Sequence, residues 1–240
     1  MSMTGNKKLT IEEFSKSNLN WKGTLEAISD KDKNLKLNVE EENKLNKILI
    51  ELKPNFCYLK TNTFDYRKNC FNIKLSSTDE LCIKKMKDEF INICYSHNDY
   101  IFDNPDDEYC SYTDPSGLKF YEKTKPKNKD EIEKRIKNML YTAKSKTGET
   151  YSGLNLKITQ FTKYKEVNEV NGKKMLIDYD KKKLMNKSFV ANVVFSIESI
   201  FRREEKLYPQ LHVSYIIVKE INQNQNPNEI EIDINDLEYL

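Results

Sequence analysis

Lysines and aromatic rings interleave through the middle of this 240-residue chain. The series runs Lys119, Tyr121, Lys123, Lys125 and Lys127, then Tyr141, Lys144, Lys146 and Tyr151. It continues with Phe161, Lys163, Tyr164 and Lys165, and ends with Lys173, Lys174, Lys181 and Lys182. An ammonium group attracts a phosphate, and an aromatic ring offers a face on which a base stacks. Stacking contributes about 1–3 kcal/mol per base, and phosphate contacts add an affinity that falls with salt. Residues 119–187 hold 19 basic and 9 acidic residues, whereas residues 188–240 hold 4 basic and 9 acidic. That segregation says more than the overall charge of +2. Lysine is common throughout, and a single Tyr–Lys pair is also ordinary strand chemistry. The segment-wide excess is what makes these residues candidates for contact with single-stranded nucleic acid.

Other chemistry finds less support. There is no G-x-S-x-G motif, and the two histidines, His97 and His212, lie far apart in the chain. No glycine-rich phosphate cradle is present. Asp103, Asp106, Asp107 and Glu108 place hard oxygens at a spacing that suits Mg²⁺ or Ca²⁺. The run lacks the glycine and terminal glutamate of an EF-hand loop, so it reads as a solvated acidic loop, with a metal-dependent nuclease as a third-ranked rival. The five cysteines (Cys57, Cys70, Cys82, Cys94 and Cys110) form no C-x-x-C pair and read as buried thiols of a reducing compartment. The expectation is a protein without catalytic residues, metal or cofactor. No run of about 20 apolar residues occurs, and the N-terminal residues lack the apolar run of a signal peptide. A soluble, intracellular protein with no membrane partner is therefore expected.

The elements that must hold the lysines follow from periodicity. Thr10 with Glu13 is a capping-box pattern. Leu45, Ile48, Leu49 and Leu52 fall on one helical face, so residues 1–54 read as a helical region. "FCYLK" and "NCFNIKL" alternate as paired strands, and "STDELCIKKMKDEFINIC" reads as a helix. A short strand is expected at Tyr100–Phe102 and a helix over "NKDEIEKRIKNMLYTAK". Asn171-Gly172 marks a hairpin. "KSFVANVVFSIESIF" and "LYPQLHVSYIIVKE" are long strands, with Phe189, Val193, Phe195, Ile197, Val213, Ile216 and Val218 facing a core. The fold class is α+β. Successive strands close most simply into an antiparallel barrel of the oligonucleotide-binding type, spanning 55–221 with inserted helices. The remaining 222–240 is an acidic C-terminal tail. Within it Ile230, Ile232 and Ile234 alternate with acids, so an edge strand stays open as the other reading.

The run Ile197-Glu198-Ser199-Ile200, Tyr208-Pro209-Gln210-Leu211-His212-Val213 and Ile217-Val218-Lys219-Glu220 carries a resemblance. It is similar to the C-terminal barrel strands of the single-stranded-DNA-binding proteins of large nucleocytoplasmic DNA viruses, mainly over 189–220. "FNIKLSSTDE" (71–80) looks like an earlier part of the same pattern. The resemblance implies an oligonucleotide-binding barrel that takes single-stranded DNA, or RNA, without reading sequence. Its setting would be viral replication or repair at a site in the host cytoplasm. Replication proteins would dock on the acidic tail, and a homo-oligomer is compatible. A structural or minor virion protein with a large protein interface is the alternative. The resemblance supplies no contact residues; those come from the lysine and aromatic pattern alone.

Overall fold

The computed structural model describes residues 3–28, 32–61, 69–102, 108–123, 125–144, 148–170 and 173–221. Chain order is β1 (Met3–Thr10), α1 (Ile11–Lys16), β2 (Trp21–Ala27), β3 (Asp32–Glu41), β4 (Lys44–Glu51), β5 (Asn55–Thr61), β6 (Asn69–Lys74), α2 (Ser77–Ser96) and α3 (Asn98–Ile101). There follow β7 (Glu108–Thr113), β8 (Lys119–Lys123), α4 (Lys129–Arg135), β9 (Leu140–Lys144), β10 (Thr150–Leu154), β11 (Lys163–Val170), β12 (Lys173–Asp178), β13 (Lys187–Arg203) and β14 (Lys206–Ile221). The chain is α+β, mostly strand.

The spine is the hairpin of β13 and β14. Its apolar side chains alternate, and Phe189, Val193, Phe195, Ile197, Val213, Ile216 and Val218 are all buried as the sequence predicts. Register shifts at Val190/Ala191, Val194/Phe195 and Ile197/Ser199 bend the pair. One edge of β13 carries β14, which in turn takes β11 in parallel. The other edge takes β5 along Lys187–Ala191, β4 along Val194–Ser196 and β3 along Ser199–Arg203. The main sheet runs β1-β4-β3-β13-β5-β6-β10-β9, with β2 on β3 and β12 beyond β11. Among the described residues the strands do not close into a barrel. The pairings of β1 with β4 and of β11 with β14 are parallel, which corrects the wholly antiparallel expectation.

The helical reading of 1–54 is also corrected. Apart from α1, capped by Thr10 and Glu13 as expected, this stretch is four strands. The run Ile48-Leu49-Ile50-Glu51-Leu52 satisfies helical spacing by accident. On a strand its even-numbered side chains Ile48, Ile50 and Leu52 enter the main core, while Leu49 faces outward. Glu42 and Asn43 make the turn, both with positive φ. No division falls at residue 54, since Ile11, Leu35 and Ile50 share one core with Phe189 and Phe195.

Helix α2 forms where its periodicity predicts. Its cap is Ser76, whose hydroxyl accepts the Asp79 N–H at 3.1 Å. Cys82, Ile83, Met86, Phe90, Ile93 and Cys94 make the buried stripe. Cys57, Cys82 and Cys94 are free, buried thiols, as expected. Residues 98–101 form a helical turn rather than a strand, and α4 ends at Arg135 with β9 beginning at Leu140. No helix is long and apolar enough to cross a membrane among the described residues.

Candidate nucleic-acid interface

The expected contact residues separate into three places. Lys119, Tyr121 and Lys123 are on β8, which among the described residues pairs only with β7 in a ribbon outside the main sheet; Lys119 and Tyr121 are exposed there. Lys125 and Lys127 follow on an exposed stretch, with Lys125 paired to Asp99. Tyr141, Lys144 and Tyr151 belong to β9 and β10, at the far end of the sheet path from β11. Phe161, Lys163, Tyr164 and Lys165 lead into and along β11; Lys174 follows on β12, and Lys181 and Lys182 lie in a 3-10 turn. Lys174, Lys181 and Lys182 are exposed. The tail 222–240, Lys146, the Asn171-Gly172 turn and Asp103, Asp106 and Asp107 lie outside the described residues, as do the side chains of Lys123, Lys173 and Glu108.

The expected stacking rings differ in placement: Tyr164 lies in the main core, which corrects its assignment, whereas Tyr141 and Tyr151 lie on the sheet face that carries Lys74, opposite the core residues Ile73 and Leu154, and are largely covered there. Tyr141 lies across Gly153, its register partner on β10, where an added Cβ would fall 2.1 Å from the ring. The Tyr141 hydroxyl accepts the Ile73 N–H at 3.3 Å and donates to the Asn72 side chain at 3.4 Å. Burial pushes its phenol well above the ordinary value. Tyr151 and Tyr164 are each only 9% exposed, and burial pushes the Tyr164 phenol up to about 12. Strand alternation decides Tyr164, because a ring one residue away from the outward Lys163 points to the core, while the register of β6, β10 and β9 puts Tyr141 and Tyr151 on the opposite face with Gly153 and Lys74. Phe161 differs: it sits on the turn before β11 and is 76% exposed.

The outward face of the β4–β13–β14–β11 sheet brings together residues from distant parts of the chain. Leu49, Val194 and Ile217 form a small apolar cluster there, with Tyr215 packed against it. Lys163, opposite Tyr215 in register, holds its ammonium 5.7 Å from the centre of that ring. Towards the hairpin end, His212 pairs with Ser196 across the strands and Lys157 bridges to His212 from the other side. Glu198 pairs with Lys47 and accepts a hydrogen bond from the Ser196 hydroxyl. Burial works to raise the Glu198 carboxyl, but the bonds from Lys47 and Ser196 outweigh it and hold the group below its ordinary value.

Ion pairs already engage part of this face. Lys8 meets Glu51 at 2.7 Å and Lys165 meets Asp178 at 2.6 Å. Among the described residues no ion pair engages Lys157 or Lys163. A chain of phosphates approaching here would meet these two ammonium groups directly, with Phe161 and Tyr215 as neighbouring rings. Lys157, His212 and Tyr215 escape the sequence reading, since they lie outside the densest lysine runs. Strand parity finds His212, which lies between the core residues Leu211 and Val213, but not Tyr215, which shares the parity of Val213 and is turned outward by the register shift between Val194 and Phe195.

Further from this face, His97 closes α2, with Nδ1 2.9 Å from the Ile93 carbonyl oxygen. Among the described residues no group of three or more His, Cys, Asp or Glu side chains is arranged to hold a metal ion. No family model matches the chain, and no curated protein matches it.

Proposed function

We propose that this chain binds single-stranded nucleic acid, DNA in the first instance, without reading sequence, and that it does no catalysis. The observation that carries the reading is the outward sheet face. There Lys163 lies over Tyr215, and Lys157 flanks the same strand with no ion pair among the described residues. The exposed Phe161 ring precedes Lys163 by two residues. Charge for the backbone beside rings for the bases is the combination that single strands select. In this reading the bent sheet is a variant of the oligonucleotide-binding type of barrel, with helical embellishments. The β13–β14 hairpin then corresponds to the strands that resemble the single-strand binders of large nucleocytoplasmic DNA viruses.

The exposed lysines Lys144, Lys174, Lys181 and Lys182 would add non-specific attraction. The acidic residues beyond Ile221 follow β14, whose Ile217 lies opposite Lys165. A truncation at residue 221 should therefore tighten binding at low salt if that segment competes for the face. Titration of fluorescently labelled oligo-dT, followed by anisotropy at several salt concentrations, tests the proposal. Saturable binding that weakens steeply with salt is expected. Absence of binding at low salt, or affinity indifferent to salt, refutes it. A scaffold or virion role is the second reading, favoured by the exposed Tyr112, Leu118, Phe120 and Tyr121 on the β7–β8 ribbon.

A further inference from the structure

The outward face of the main sheet extends beyond the strands that carry Lys163 and Tyr215. Along β13 the odd-numbered side chains from Phe189 to Ile197 enter the core, so Val190, Asn192 and Val194 face the other way. Val194 lies opposite Tyr215 on β14, and Val190 lies opposite Phe56 on β5. Phe56 in turn lies opposite Lys74 on β6, and Lys74 lies opposite Gly153 on β10. Tyr151, two residues before Gly153, shares its side of β10. Side chains directly opposite each other share a face, so Lys163, Tyr215, Phe56, Lys74 and Tyr151 belong to one surface.

The two ends of this surface are built alike. At one end the exposed Phe161 precedes Lys163, whose ammonium lies over the Tyr215 ring. At the other, Phe56 is 47% exposed. Its register partner Lys74 is exposed too, with its ammonium 5.7 Å from the centre of the Tyr151 ring. Among the described residues no ion pair engages Lys74. Tyr151 is too well covered to stack a base itself; its ring steadies the Lys74 ammonium over the face. Between the ends, Val190 and Asn192 are half-buried. Glu51, beside Val194, is already engaged by Lys8 at 2.7 Å and by the Asn192 amide at 3.1 Å.

We propose that Phe56 and Lys74 form a second contact for the single strand held at Phe161, Lys163 and Tyr215, with Phe56 stacking a base and Lys74 taking a phosphate. This second contact presupposes the proposed binding of single-stranded nucleic acid. From Lys163 to Lys74 the route passes from β11 over β14, β13 and β5 to β6, and it moves from Val194 to Val190 along β13. At about 4.8 Å per strand and about 3.3 Å per residue, that is roughly 23 Å along the sheet. A strand crossing it diagonally needs several nucleotides, within the range of about 4–16 that one oligonucleotide-binding fold takes.

Anisotropy titrations of the full chain with labelled oligo-dT of about 4 and about 16 nucleotides test this. Phe56→Ala combined with Lys74→Ala should weaken binding of the longer oligonucleotide about 5- to 150-fold. The slope of log K against log salt should fall by about 0.7 for the lost phosphate. The shorter oligonucleotide, held at Phe161 and Lys163, should bind nearly as before. Phe56→Tyr keeps a ring and should bind like wild type. Lys74→Glu leaves Phe56 in place and should also weaken the longer oligonucleotide, so the outcome does not depend on how Phe56→Ala folds. Variants that bind the longer oligonucleotide like wild type overturn the second contact while the proposed function stands. An equal loss at both lengths overturns it as well, since Phe56 and Lys74 would then belong to the primary site. A wild-type chain that binds neither length overturns both readings.

Discussion

Replacing Phe161 with alanine separates the roles of two aromatics that look alike in sequence. Phe161 and Tyr164 both neighbour Lys163. Phe161 is 76% exposed and Tyr164 only 9%. The backbone N–H of Phe161 donates to the Thr159 hydroxyl at 3.1 Å, a bond that alanine keeps. Truncating so exposed a ring should shift stability by no more than about 0.5 kcal/mol. If the ring stacks a base, its loss costs about 1–3 kcal/mol of binding, or about 5- to 150-fold in Kd. Anisotropy titrations with labelled oligo-dT would measure the change, with thermal melting as the folding control. Tyr164→Phe is the companion variant: it keeps the buried ring and should leave Kd unaltered. A Phe161→Ala protein that melts and binds like wild type would refute the placement of the strand on this face.

Three further outcomes follow from the same geometry. Lys157→Ala combined with Lys163→Ala should flatten the dependence of log K on log salt by about 1.4, at roughly 0.7 per phosphate contact on a single strand. Gly153→Ala forces a Cβ into the Tyr141 ring and should cost about 1–3 kcal/mol of stability in urea denaturation, with no change in oligonucleotide affinity per folded molecule. Burial, the largest influence, holds the His212 imidazolium below its ordinary value; Glu198 pulls the other way, and Lys157 and Lys47 add to the burial effect. A histidine that protonates less readily when folded gives its full stabilisation above its unfolded value of about 6.5. That stabilisation is lost as pH falls from there towards the lower folded value. The urea midpoint should therefore drop on acidification through this window, and His212→Gln should reduce the drop; an equal drop in both proteins would exclude His212 as its source.

The sequence by itself determined the parts governed by local rules. Alternation marked β13 and β14 and the core positions from Phe189 to Val218, because a long two-faced strand leaves a period of two that little else imitates. The capping box at Thr10 and the stripe on α2 were legible for the same reason, since their partners lie within a turn or two. Where a segment is apolar on both sides, periodicity loses its meaning. Ile48 to Leu52 fits a helix and a strand equally, and pairing with β13 and β1 decides for the strand.

Tertiary structure alone decided which aromatics of the lysine-rich segment remain available. Strand parity draws Tyr164 into the core, Tyr141 and Tyr151 are covered on the opposite sheet face where Tyr141 fills the space above Gly153, and Phe161 stays out on a turn. It also decided what the basic residues share a surface with. Lys163 meets Tyr215 across 52 positions of sequence only because β11 lies parallel to β14. No composition or spacing along the chain encodes that register; it arises from non-local pairing, where the burial of one sheet face fixes which side chains reach the other.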